Sequence, residues 1–75
     1  MSRLPALKPE AIIRAFERGG FFVHHVKGSH YYLRHPDRPG IQLTVARHAR
    51  ELPPGTVRRI IRSAGIAEEA FLDLL

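Results

Sequence analysis

The chain reads as one α+β domain of order α-β-β-β-α: a three-stranded antiparallel sheet with two helices on one face and a short C-terminal helix. Three observations predict this. Apolar residues recur at helical spacing in two segments, Ile12, Ile13 and Phe16, then Val57, Ile60, Ile61 and Ala64. Between them lie strand-like runs rich in aromatic and β-branched residues. These runs are separated by Gly28-Ser29 and by Pro36-Asp37-Arg38-Pro39-Gly40, compositions that turn a chain.

Each element has its own warrant. Pro9 suits the first turn of a helix, where no N–H is needed, and Gly19-Gly20 ends that helix, so it covers roughly 9–18. Two strands, 21–27 and 30–35, flank Gly28-Ser29, a two-residue hairpin connection with Gly free to take positive φ. A connection of that length sets Lys27 opposite His30 on one face. The same register turns Val26, Tyr31, Phe22, Leu33 and His35 toward the helices and His25, Tyr32, Val23 and Arg34 toward solvent. It also puts His24 inside, opposite Leu33. A third strand, 41–46, alternates Ile41, Leu43 and Val45 with Gln42, Thr44 and Ala46. After a loop, Thr56 serves as the N-cap of the second helix or sits in its first turn. Gly65 is placed to end that helix with Ile66 behind it. Glu68 and Glu69 suit the start of a last short helix that buries Phe71 and Leu72, with Leu75 as a third candidate.

Composition narrows the function. Seventy-five residues form one domain, 1–75, whose core is thin: a chain this short buries only about 60–65% of its unfolded surface. Hydrophobic content of 44% is that of a folded globule, and the absence of cysteine removes disulfides and thiolate metal cages. No apolar run approaches the roughly 18 residues of a membrane span, and the N-terminus has no signal-like apolar core, so a soluble cytoplasmic protein is expected. The net charge of +5 is unevenly spread. Residues 24–65 carry eight basic side chains against Asp37 and Glu51, seven of the eight being arginine. Arginine presents a planar fork that matches phosphate oxygens, so the expected partner is a polyanion, RNA or DNA rather than a membrane.

Against this background His30 is the residue suited to chemistry. Cleaving RNA without a metal needs a group to take the proton of the 2′-OH and a cation to hold the phosphate. Histidine titrates near neutrality, and Lys27 faces it across the turn. The expected RNA contacts are Lys27 and Ser29 at the turn and Tyr32 as a stacking ring. The N–H groups at Gly55 and Thr56 join them at the second helix's start, with Arg58, Arg59 and Arg62 along the backbone and His48 in the loop after the third strand. Neither a metal nor a cofactor is expected. His24 and His25 are neighbours that a regular strand points to opposite faces, no helical His-x₃-His occurs, and no glycine spacing fits a phosphate-binding loop. A non-catalytic RNA-binding module would share this fold and charge, and only His30 separates the two readings.

Several stretches resemble the HicA toxin family, also called YcfA-like. These are Gly20-Phe21, then Lys27-Gly28-Ser29-His30, then the run from Leu52-Pro53-Pro54-Gly55-Thr56 to Ala64-Gly65-Ile66, then Glu68-Glu69-Ala70-Phe71. The resemblance covers about residues 9–75. It implies the toxin of a type II toxin–antitoxin system with a fold like that of double-stranded-RNA-binding domains, acting as a metal-independent mRNA interferase. The catalytic residue implied is the histidine of the Gly-Ser-His turn, His30. The resemblance also implies an acidic antitoxin partner, HicB, over the active face. Two positions depart from the family pattern. Ala46-Arg47-His48 stands where Pro-x-His is frequent, and Pro54 stands where a polar residue is common.

Overall fold

Two proline-led helices pack on one side of the sheet, and a short third packs against those helices. The structure, a computed structural model, describes residues 4–48 and 50–75. Its elements are α1 (Pro9–Arg18), β1 (Phe22–Lys27), β2 (His30–His35), β3 (Arg38–Ala46), α2 (Pro54–Ala64) and α3 (Glu68–Leu74). The sheet order is β1-β2-β3, antiparallel throughout. This is the expected α+β layout. Lys8 and Pro53 are the N-caps, and each is followed by a proline in the first helical turn. Thr56 therefore lies inside the first turn of α2 and its side chain caps nothing. Gly65 adopts the left-handed conformation (φ 72°, ψ 24°) that closes α2, as its position predicts.

The core is built from the inward faces. Ile12 and Phe16 of α1, Leu33 of β2, Leu43 and Val45 of β3, and Val57 and Ile61 of α2 are fully buried. Phe16 sits at the centre of an aromatic group, with ring centroids 5.2 Å from Phe21 and 5.1 Å from Phe71. Leu75, expected as a further buried residue, is exposed. Leu7 and Leu52 form an isolated bridge with paired backbone hydrogen bonds of 3.1 and 2.7 Å, clasping the N-terminal segment to the loop before α2.

Two expectations about the sheet are corrected. The first concerns β1, where pairing runs Phe22↔Arg34, Val23↔Leu33, then His25↔Tyr32, with a bulge between Val23 and His25. Val23 rather than Phe22 thus packs on the core, while Phe22 is 43% exposed, His24 lies outside, and Val26, although it pairs with Tyr31 as expected, is 49% exposed and takes no part in the core. The cause is a conflict of frames. Phe21, buried against Phe16, and Val23 demand that odd residues point inward. The Gly28-Ser29 turn, pairing Val26 with Tyr31, demands that even ones do. One extra residue, His24, absorbs the difference.

The second correction concerns β3, which starts at Arg38 rather than Ile41, leaving Pro36-Asp37 alone as the turn. Because the register breaks between the pairs Arg34↔Gln42 and His35↔Arg38, no ladder bond to β2 is asked of Pro39. Its carbonyl accepts a hydrogen bond from Arg34 Nη2 at 2.8 Å.

The junction between α1 and β1 is tight. Gly20 has φ 96°, and a Cβ placed there would lie 2.7 Å from Nε2 of His35. That imidazole stacks edge-on against Phe21 (4.9 Å) and reaches the Gly19 carbonyl at 3.3 Å. Gly20→Ala is accordingly expected to destabilise the fold by at least about 1 kcal/mol. In a domain of this size that appears as a fall in Tm of roughly 4–8 °C in a thermal melt.

Candidate nucleic-acid interface

The Gly28-Ser29 turn holds the candidate chemistry at one end of the sheet. Gly28 has φ 61° and, among the described residues, no non-glycine residue has positive φ, which fits the type II′ pattern. Lys27 and His30 close the turn as direct cross-strand partners, both exposed. On its other side His30 pairs with Ala46 of β3. The backbone N–H of Arg47 donates to the Ser29 carbonyl at 2.7 Å. This bond carries β3 alongside the turn and ties down the start of the loop that holds His48, itself exposed.

Strand alternation sends His30, Tyr32 and Arg34 to the open face, away from buried Leu33. Tyr32 is half-buried, because the His25 ring stacks on it with centroids 4.3 Å apart and planes 7° apart. Tyr31 points to the helix side, where its hydroxyl accepts a hydrogen bond from Arg47 Nη1 at 2.8 Å. That bond, reinforced by the attraction of Tyr31 and then Glu10, raises the Arg47 pKa above its ordinary value. A cleft of about 200 Å³ lies there, lined by Glu10, Ile13, Glu17, Val23, Tyr31 and Arg47. It contains none of the expected site residues.

The α2 arginines are separated by what they touch. Arg58 Nε donates to Glu68 Oε1 at 2.6 Å, joining α2 to α3, while the Arg58 side chain stays 42% exposed. Arg59 and Arg62 are exposed and lie opposite the buried stripe of Val57, Ile60, Ile61 and Ala64. They therefore face away from the sheet, on the far side of the domain from Tyr32. At the start of α2, Gly55 is exposed, while the Thr56 N–H already donates to the Pro53 carbonyl at 3.0 Å. The expected contacts thus divide into a turn-and-sheet surface and a helix surface, with no single groove holding both.

His24 and His25 were not expected to meet. The bulge brings their Nδ1 atoms to 2.8 Å, on the exposed side of the sheet. Among the described residues, no group of three or more His, Cys, Asp or Glu is arranged to hold a metal ion.

The family model described as the HicA toxin of bacterial toxin–antitoxin systems matches residues 10–66. The chain belongs to the HicA toxin family. No curated protein matches it in sequence. The match runs from α1 through α2 and takes in the Gly-Ser-His turn, so family membership identifies a toxin of a toxin–antitoxin system. In this HicA toxin no helix among the described residues is long and apolar enough to cross a membrane.

Proposed function

We propose that this toxin is a metal-independent endoribonuclease that cleaves mRNA, with His30 as the acid/base residue and Lys27 holding the phosphate. The observation that carries the reading is the exposed imidazole of His30 directly across a two-residue turn from an exposed ammonium, in a chain of the HicA family. In the proposed step the 2′ oxygen of a ribose attacks the adjacent phosphorus and His30 takes the hydroxyl proton. The new O2′–P bond forms as the P–O5′ bond breaks, leaving a 2′,3′-cyclic phosphate and a 5′ oxygen that is protonated in turn. Lys27 stabilises the charge that builds on the non-bridging oxygens. The Arg47–Ser29 bond, which anchors the loop of His48 beside the turn, supports His48 as the partner acid that gives its own proton to the departing 5′ oxygen while His30 keeps the one it took. Arg59 and Arg62 supply a second, non-catalytic contact for a longer RNA.

A HicB-type antitoxin is the partner this reading calls for, and the basic surplus of residues 24–65 suits an acidic one. Induced expression in a bacterial host provides the test. The wild-type chain should arrest growth and deplete mRNA, and His30→Ala should do neither. Equal arrest by both chains overturns the assignment of His30, and an inert wild-type chain overturns the nuclease reading.

A further inference from the structure

The open face of the sheet carries more aromatic surface than catalysis at the turn requires. Its rows, read across the strands, are Lys27·His30·Ala46, His25·Tyr32·Thr44 and Phe22·Arg34·Gln42. The bulge adds His24, which stands edge-on to His25 (centroids 5.0 Å, 81°) and 6.4 Å from the Phe22 ring. Phe22, His24, His25 and Tyr32 therefore form one contiguous aromatic ledge leading to His30. Phe22, at 43% exposed, has no place in the core. Cations flank the ledge in Lys27 and Arg34. From Phe22 to Ala46 the sole carboxylate is Asp37, which lies in the β2–β3 turn and not on this face.

An aromatic surface rimmed by cations and free of acids suits one class of ligand, an unpaired nucleic-acid strand. Its bases have open π-faces to stack and its phosphates need counter-charge. A duplex cannot use such a ledge, because its bases are already stacked within the helix. Successive rows stand roughly 6.5–7 Å apart along a strand, so three rows give room for about two or three nucleotides beside the turn.

We propose that the ledge of Phe22, His24, His25 and Tyr32 binds unpaired RNA bases and makes this protein selective for single-stranded over duplex RNA. The proposal rests on the reading that RNA is the substrate, and it departs from what a fold like that of double-stranded-RNA-binding domains suggests. The nucleotides on the ledge position the strand, and the phosphate that follows them reaches His30.

The test uses an eight-nucleotide RNA carrying 2-aminopurine, alone and annealed to its complement, with the His30→Ala chain so that the probe survives. Stacking quenches 2-aminopurine fluorescence, and purely ionic binding does not. The single strand should quench and bind at least about tenfold more tightly than the duplex. Phe22→Ala and Tyr32→Leu should each weaken the single strand about tenfold. Phe22→Ala removes an exposed ring and Tyr32→Leu keeps most of the volume, so both should retain the parent thermal melt. Tighter or equal binding of the duplex overturns the proposal, as does a quench that neither substitution changes. So does an unchanged RNA affinity when both variants loosen a co-expressed HicB-type antitoxin, since the face would then be a protein dock. Cleavage by the wild-type chain is read in parallel. A His30-dependent cleavage with no quench leaves the nuclease reading standing without the ledge, and a quench without cleavage does the reverse.

Discussion

Purified His30→Ala protein is expected to cleave RNA at least about 100-fold more slowly than the parent chain, with its affinity for RNA nearly unchanged. Removing a positioned acid/base group costs a factor of roughly 10² to 10⁴ in rate. Nothing in the packing adds to that, because His30 is exposed at the end of a strand and its loss opens no cavity. The Lys27 ammonium, proposed to hold the phosphate, stays in place. A different pattern is expected for Lys27→Gln, which weakens binding as well as rate and flattens the dependence of binding on salt. Single-turnover cleavage of a short labelled RNA, followed with a separate binding titration, measures both. A fall of less than tenfold in the His30→Ala rate would show that the imidazole takes no part in proton transfer.

Phe16→Ala is expected to cost the chain a large part of its stability. Phe16 is fully buried and its ring is shared by Phe21 at the entry to β1 and by Phe71 of α3. Truncating a buried phenylalanine costs about 3–5 kcal/mol. A domain of this length has a total stability of roughly 4–11 kcal/mol, so the substitution removes a large share of it. Phe16→Leu keeps most of the volume and should cost far less. Urea denaturation followed by circular dichroism compares the two. A midpoint for Phe16→Ala within the error of the parent would mean that the three rings do not form the centre of the core.

Elements with strong local signals were legible in the sequence. Pro9 and Gly19 bound α1, Gly28-Ser29 gave the hairpin and its Lys27–His30 pair, and Gly65 closed α2 in the left-handed conformation. What was not legible came from competition between distant contacts. The faces of β1 depend on Phe21 being anchored by Phe16, a tertiary fact. With only the turn to count from, Val23 and Phe22 exchange places and His24 falls inside. The two frames could have been noticed, since Phe21 and Val23 share one parity and Val26 has the other. Pro39 hid the true start of β3 because a proline argues against a strand until the break in register beside it is known. The helix arginines looked like one phosphate clamp. Which of them is taken by Glu68 depends on where α3 docks, and the spacing of the residues does not contain that.

The extra residue in β1 also governs how one molecule can meet another. Both outer margins of a three-stranded sheet offer unpaired peptide groups on which a foreign strand can zip. Here the β1 margin is broken at His24 and the β3 margin lacks a donor at Pro39. A second strand running the full length of either margin would meet a gap in its ladder. An added strand is thereby confined to part of a margin, which disfavours ribbons built of stacked copies.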